Sequence, residues 1–467
     1  MVRGLQQVPE SRLAQGRFGR MFRTLPPLSL SEASVRAIAV RMAERDTAGA
    51  SQDNPDIPAG YTYLGQFLDH DLTFDPASSL ERQNDPNALT NFRTPRFDLD
   101  SVYGRGPADQ PYLYSDTRPD RFLIDKRDDV RDLPRNSQGR ALIGDPRNDE
   151  NVFVSQVHLT LLRFHNAVVR GLDRFPAAKP RPGRAPSSPR SASCAGTISG
   201  CWCTTSCGAW WAASCSTASW SASRSSPGGA PVEQVRRRFF SWKNEPFMLV
   251  EFSVAAYRFG HSMVRAVYDL NSTVTGLPIF PQEPIRQADP LSHLGGFRPL
   301  PASWQVEWRR FFEVGKRIPE MQLTRVINTK IAPPLLDLPP EVAAGITSLA
   351  ERSLLRGVRL GLPSGQDVAR AMGVAPLADD DVDLPVPGPA PLWWYVLREA
   401  KVLSKGRHLG PVGGRIVAEV FLGLLEADPS SYLKAEPGWQ PFLPAATKGD
   451  FAMGDLISFA DFRLATG

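Results

Sequence analysis

The ten residues Gly65 to Phe74, GQFLDHDLTF, set a histidine between two aspartates and place a glutamine one helical turn before it. Tyr63, Leu64, Phe67, Leu68 and Leu72 follow the spacing of a buried helical stripe, so the stretch is read as a helix. On that helix Gln66 and His70 stand at i and i+4 and project from one face, while Asp69 and Asp71 flank them and aim elsewhere. A neutral imidazole facing a cavity beside an amide, with a carboxylate on each side, is suited to moving protons and to holding a cation.

The rest of the composition narrows the classes open to the chain. Its 467 residues can bury a large core, either as several domains or as one large enzyme domain. The net charge is +5, with no basic tract interleaved with aromatics, which argues against a nucleic-acid partner. No run of about 18 apolar residues is present, so no transmembrane segment is expected. The first residues, MVRGLQQVPESRLAQGRFGRMF, are charged and lack the apolar core of a secretory signal. The expectation is a cytoplasmic location by default, or export by a non-classical route. Nothing in the sequence sets an oligomeric state.

One window departs from this pattern. From Pro180 to Gly229 the chain turns to Ser, Pro, Arg, Cys and Trp without helical or strand periodicity. All five cysteines, Cys194, Cys201, Cys203, Cys207 and Cys215, fall inside it, so no disulfide framework is expected elsewhere. Their spacing does not match a zinc site with its second pair or histidines. Four tryptophans in the window (Trp202, Trp210, Trp211, Trp220) are unusual for a disordered linker. Read one nucleotide out of phase, Ala195 to Trp220 can encode a stretch with a helix-period apolar face. The segment 180–229 is therefore read as an aberrant insert, disordered or frameshifted, and resequencing the gene through it decides between the two.

Outside the insert the periodicity is helical. Ser155 to Phe175 carries Val157, Leu161, Phe164 and Val168 at spacings of three and four; Phe252 to Tyr268 and Gly413 to Leu425 read the same way. Strand alternation is scarce, and 43 prolines punctuate long loops. The fold class expected is mainly α, with many helices, long loops and little sheet.

Several motifs follow GQFLDHD in order: TPRFDLDSVYG at Thr94 to Gly104, GDPRNDE at Gly144 to Glu150, YRFGH at Tyr257 to His261, LLRGVRLGLPSG at Leu354 to Gly365, and HLGPVGGRIVAEVFLGLL at His408 to Leu425. Together they resemble the animal-type haem peroxidases, most closely the bacterial, peroxinectin-like branch. The resemblance implies a haem peroxidase domain over residues 1–467, interrupted by the insert, with haem b as cofactor. It implies reduction of hydrogen peroxide and oxidation of a small organic or halide-type reductant through a ferryl intermediate.

By the same resemblance His70 is the distal acid and base, Arg147 the distal arginine that polarises the O–O bond, and Gln66 the distal glutamine. His261 is the proximal ligand of the haem iron. Arg258 pairs with a haem propionate, and Gly260 lets the backbone approach the macrocycle. Asp69 and Glu150 match carboxylates that form esters with haem methyl groups, while Asn151 stands where a methionine would be needed for a sulfonium link. Eight residues before Gly361, where the family places an asparagine beyond the proximal ring, this chain has Ser353, a shorter and weaker partner. His158 and His165 read as core residues, and His293 and His408 receive no role.

Thr94, Asp98 and Asp100 form a compact oxygen-rich loop suited to a hard cation. In the family this loop, with Asp71 and backbone carbonyls near Thr94 and Arg96, binds calcium. Two other functions compete. One is a catalytically impaired, peroxidase-like calcium or adhesion protein, since fold does not fix function. The other is a fatty-acid dioxygenase of the same superfamily, whose radical tyrosine lies three residues before the proximal histidine, where this chain has Arg258; Tyr257 is one residue off.

Overall fold

In a computed structural model of the chain, the apolar stripe around His70 forms the helix Gly60–Leu72. The structure describes residues 16–45, 52–74, 90–91, 93–125, 132–171, 237–243, 246–281, 283–285, 287–343, 345–429, 431, 434, 443–447 and 451–461. The segment 180–229, with every cysteine, lies outside them. Among the described residues there are eight α-helices of eight residues or more: α1 (Glu32–Arg41), α2 (Gly60–Leu72), α3 (Val152–Gly171), α4 (Leu349–Arg359), α5 (Gly365–Met372), α6 (Leu392–Ser404), α7 (Pro411–Ala427) and α8 (Met453–Asp461). Among the described residues sheet is confined to three small pieces, the longest strand being Asp53–Pro58 against Leu323–Arg325. The mainly α class with little sheet is thus observed. None of the described helices is long and apolar enough to cross a membrane.

Local chemistry starts and stops these helices. Ser31, Ser348 and Ser364 cap α1, α4 and α5 by accepting from the backbone N–H three residues on. Gly373, at φ 74°, closes α5 in the left-handed conformation. Pro411 opens α7, whose next two N–H groups donate to the buried carboxylate of Glu399 on α6. α2 begins at a glycine for lack of room, because a Cβ on Gly60 would lie 2.4 Å from the Phe312 ring. It ends at Thr73, whose N–H and hydroxyl both donate to the Asp69 carbonyl.

The core centres on α3, of which only Arg163 and Arg170 escape full burial. α3 packs on α2 and α8. Phe153, on the first turn of α3, contacts Tyr63 of α2 at 4.5 Å between ring centroids, Phe311 at 4.7 Å and Tyr268 at 5.0 Å. Such pairs contribute about 0.5–1.5 kcal/mol each beyond area burial, and here they fix α2 against α3.

Two helix boundaries differ modestly from the sequence reading. α3 starts at Val152 rather than Ser155 and is described to Gly171, and α7 starts at Pro411 rather than Gly413. The stretch Phe252 to Tyr268 needs a larger correction. It is a π-helical turn, Glu251–Ala255, followed by a 3₁₀ segment, Ala256–Met263, and then the short strand Val267–Tyr268. Over a dozen residues apolar spacing does not separate periods of 3.0 and 4.4 from 3.6. The anchor is also remote in sequence: buried Glu251 accepts from the N–H groups of Met21 and Phe22.

Candidate active site

α2 and the Ala256–Met263 segment face each other across a cavity with about 1010 Å³ of atom-free space, part of it open to solvent. Gln66, Asp69 and His70 reach it from α2, Glu150 and Asn151 from the turn before α3, and Tyr257, Arg258, Gly260 and His261 from the opposite side. Val264, Ile279, Phe280, Leu335 and Leu338 complete an apolar wall. Two imidazoles distant in the chain therefore line one cavity.

On the α2 side, His70 is 6 % exposed and its Nδ1 lies 2.8 Å from Oδ1 of Asn148. Burial, with the nearby charge of Arg147, lowers its pKa to about 3, so the ring is neutral. Gln66 donates from Nε2 to the Glu150 carboxylate and accepts from Asn151 Nδ2 at 3.3 Å. Burial pushes Glu150 up to about 7 and raises Asp69, which accepts from the Thr73 hydroxyl.

Arg147 is not among the residues lining this cavity. Its Nη2 donates to the carbonyls of His70 at 2.8 Å and Thr73 at 2.7 Å and to Asp145 at 2.7 Å, and the guanidinium lies 4.6 Å from the centroid of the Phe74 ring. These are acceptors that the end of a helix leaves open. Arg147 thus grips α2 from behind and faces a second cavity, shared with Asp69, Thr73, Ser253, Arg258 and Arg356.

On the other side, His261 is neutral too: burial and the Arg258 charge lower its pKa to about 3. Its Nδ1 is buried without a hydrogen-bond partner among the described residues. Ser353 does not reach it; the Ser353 hydroxyl accepts from Nη1 of Arg258 at 3.2 Å. Trp393 packs edge-to-face on His261, with centroids 6.0 Å apart, and donates its Nε1–H to the Arg258 carbonyl. Burial and the neighbouring Arg356 lower the Arg258 pKa to about 10, and no carboxylate forms an ion pair with it among the described residues. A Cβ on Gly260 would meet nothing within 4 Å, so the backbone beside His261 fronts open space.

Beyond α2, Asp71, Asp98 and Asp100 each bring a carboxylate oxygen within 4.8 Å of the others. Leu99 between the last two has φ 57°, a strained conformation for leucine. Asp71 accepts from the N–H groups of Leu99 and Ser101 and from the Ser101 hydroxyl, tying loop to helix. Thr94 donates its hydroxyl to Asp98 at 2.7 Å, and the Thr94 carbonyl accepts from the Arg96 N–H. Burial first, then mutual repulsion, raises Asp71 and pushes Asp100 up to about 7; burial raises Asp98. Arg93 pairs with Asp100 and with Asp145, and Asp145 in turn holds Arg147, so the loop is wired to the end of α2.

Sequence reading passed over Asn148, Arg356 and Asp145. Asn148 and Asp145 sit inside the GDPRNDE motif but were overshadowed by its arginine and glutamate; for Arg356 no signal in the sequence marks the cavity it faces. His158 and His165 are core residues, as expected: His158 is fully buried beside Asn148, and His165 bonds the Tyr103 hydroxyl and the Asp120 carbonyl. His293 is also fully buried, its Nδ1 accepting from the Gly295 N–H.

These features fit a haem. A neutral imidazole with open backbone beside it suits an iron ligand, the apolar wall suits a macrocycle, and the half-buried Arg258 and Arg356 suit two carboxylate side arms. No family model matches the chain, and no curated protein matches it. Solved structures do. Peroxidase A from Dictyostelium discoideum aligns with a TM-score of 0.62 at 16% identity, over 90% of this chain and 88% of that one. Fatty acid alpha-dioxygenase from Oryza sativa gives 0.57 at 16%, over 90% and 76% of the two chains. The enzyme of that name from Arabidopsis thaliana gives 0.57 at 14%, over 89% and 72%. At such identities the likeness establishes the fold, which the chain shares with a peroxidase and with fatty acid alpha-dioxygenases, and it agrees with the mainly α fold that the motifs implied.

Proposed function

We propose that the chain is a haem-dependent peroxidase that reduces hydrogen peroxide and oxidises a small organic or halide-type reductant. The observation that carries this reading is one cavity lined by two neutral histidines, buried His70 and half-buried His261. Haem bound there supplies an iron centre that relays electrons from reductant to peroxide. His261 would hold the iron, Arg258 and Arg356 the propionates, and Asp69 and Glu150 the porphyrin edge, as esters or by hydrogen bonds. His70 takes the proton from one peroxide oxygen and returns it to the departing one. Gln66, fixed by Glu150 and Asn151, orders the water beside it.

The reading is tested by the pH dependence of the second-order rate constant with peroxide. A base must be unprotonated to act, so the rate is expected to persist below pH 6.5, the ordinary histidine value, and to fall only as pH drops towards about 3. An acid limb centred near 6.5 would mean that another group is the base.

The cluster of Asp71, Asp98 and Asp100 would hold calcium, which removes their mutual repulsion and braces α2. A ligand at about a hundred times its Kd adds about 2.7 kcal/mol of stability. Calcium is therefore expected to raise the melting temperature of the parent, reversibly on chelation, and not that of Asp71→Asn; equal shifts in both would place the ion elsewhere.

A second reading, fatty-acid oxygenation, is favoured by one observation: Tyr257 lines the cavity, with its hydroxyl 3.2 Å from the Gly65 carbonyl. Oxygen uptake with a long-chain fatty acid, abolished in Tyr257→Phe, is the outcome that reading requires. Peroxide-dependent oxidation surviving in Tyr257→Phe without such uptake is the outcome of the peroxidase reading.

A further inference from the structure

We infer that Asn148 is a positioning residue that locks His70 in one tautomer, with the proton on Nδ1 and a bare Nε2 turned to the cavity. The inference concerns the ring's proton, and only what Nε2 then does rests on the peroxidase reading. Asn148 is fully buried on the 3₁₀ turn Pro146–Asp149, is absent from the cavity lining, and sits between two histidines. Its Oδ1 is 2.8 Å from His70 Nδ1, and its Nδ2 is 3.1 Å from His158 Nδ1.

A carboxamide has unlike ends: the oxygen only accepts and the nitrogen only donates. His70 Nδ1 must therefore carry the proton, and His158 Nδ1 must be bare, which places the His158 proton on Nε2. That atom is buried with no hydrogen-bond partner among the described residues, while the Phe67 and imidazole rings meet edge-to-face, centroids 5.7 Å apart at 76°. An N–H tolerates an aromatic neighbour. The consequence at the site is specific. A ring with a bare Nε2 accepts a proton from whatever lies in the cavity; the opposite tautomer presents an N–H there and has no base to offer. Asn148 would govern this without touching the reacting atoms.

The test is a long-range ¹H–¹⁵N correlation spectrum of the full-length, haem-free protein labelled in its histidine rings, where bare and protonated ring nitrogens resonate far apart. Signals are assigned with His70→Gln and His158→Gln. The expected pattern is Nδ1–H for His70 and Nε2–H for His158. Asn148→Asp, which accepts from both sides, should keep His70 and switch His158 to Nδ1–H, whereas Asn148→Leu should release His70 to a mixture. An Nε2–H tautomer for His70 in the parent, or no switch of His158 in Asn148→Asp, overturns the inference, and the second outcome decides even if Asn148→Leu does not fold. In haem-loaded protein Asn148→Leu should slow the reaction with peroxide by about tenfold or more, with KM for the reductant unchanged. The expected tautomers in a chain that takes up no haem would support the lock and refute the peroxidase reading. An active peroxidase whose His70 carries Nε2–H would do the reverse.

Discussion

His70→Leu is expected to slow the reaction with hydrogen peroxide by roughly 10²- to 10⁴-fold, the usual worth of a positioned general acid and base, while haem uptake stays at the parent level. His70 is held on a helix fixed by the Tyr63–Phe153 contact, its ring is neutral through burial, and among the described residues no other histidine but His261 lines the cavity. Leucine is close in size and keeps the cavity wall, so the expected loss lies in the chemistry. It leaves the Asn148 oxygen unpaired, at a cost of about 1–3 kcal/mol in stability, which a melting curve resolves from the kinetic effect. A stopped-flow rate constant within threefold of the parent would remove His70 from the mechanism.

His261→Ala is the second large effect. Among the described residues the ring has no hydrogen-bond partner at Nδ1 and packs edge-to-face with Trp393, so little of the fold depends on it. The chain should remain folded, lose the absorption spectrum of a histidine-ligated haem, and lose peroxide turnover. Added imidazole, small enough for the space vacated, should restore part of the spectrum. A spectrum identical to that of the parent without imidazole would show that another residue binds the iron.

The sequence reading reached the helix of GQFLDHDLTF and the shared face of Gln66 and His70, because a buried stripe and an i, i+4 pair are written locally. The same holds for α3 and α7, whose apolar period persists over many turns. It did not reach the altered winding at Glu251–Met263, where Glu251 is held from Met21 and Phe22, far away in the chain. Nor did it place Arg147 or Ser353. A long guanidinium goes where acceptors are open, here the end of α2 and Asp145. A short serine hydroxyl takes the nearest donor, here Arg258 rather than His261. The relay from His70 through Asn148 to His158 joins three elements, and its geometry exists only once they pack.

A titration of haem into the protein, followed by absorption before and after hydrogen peroxide, tests the proposed peroxidase function most directly. One haem per chain, with a sharp Soret band that shifts on adding peroxide and returns when a reductant is supplied, is the result expected. No saturable uptake, or uptake with a band that peroxide leaves unmoved, would contradict it.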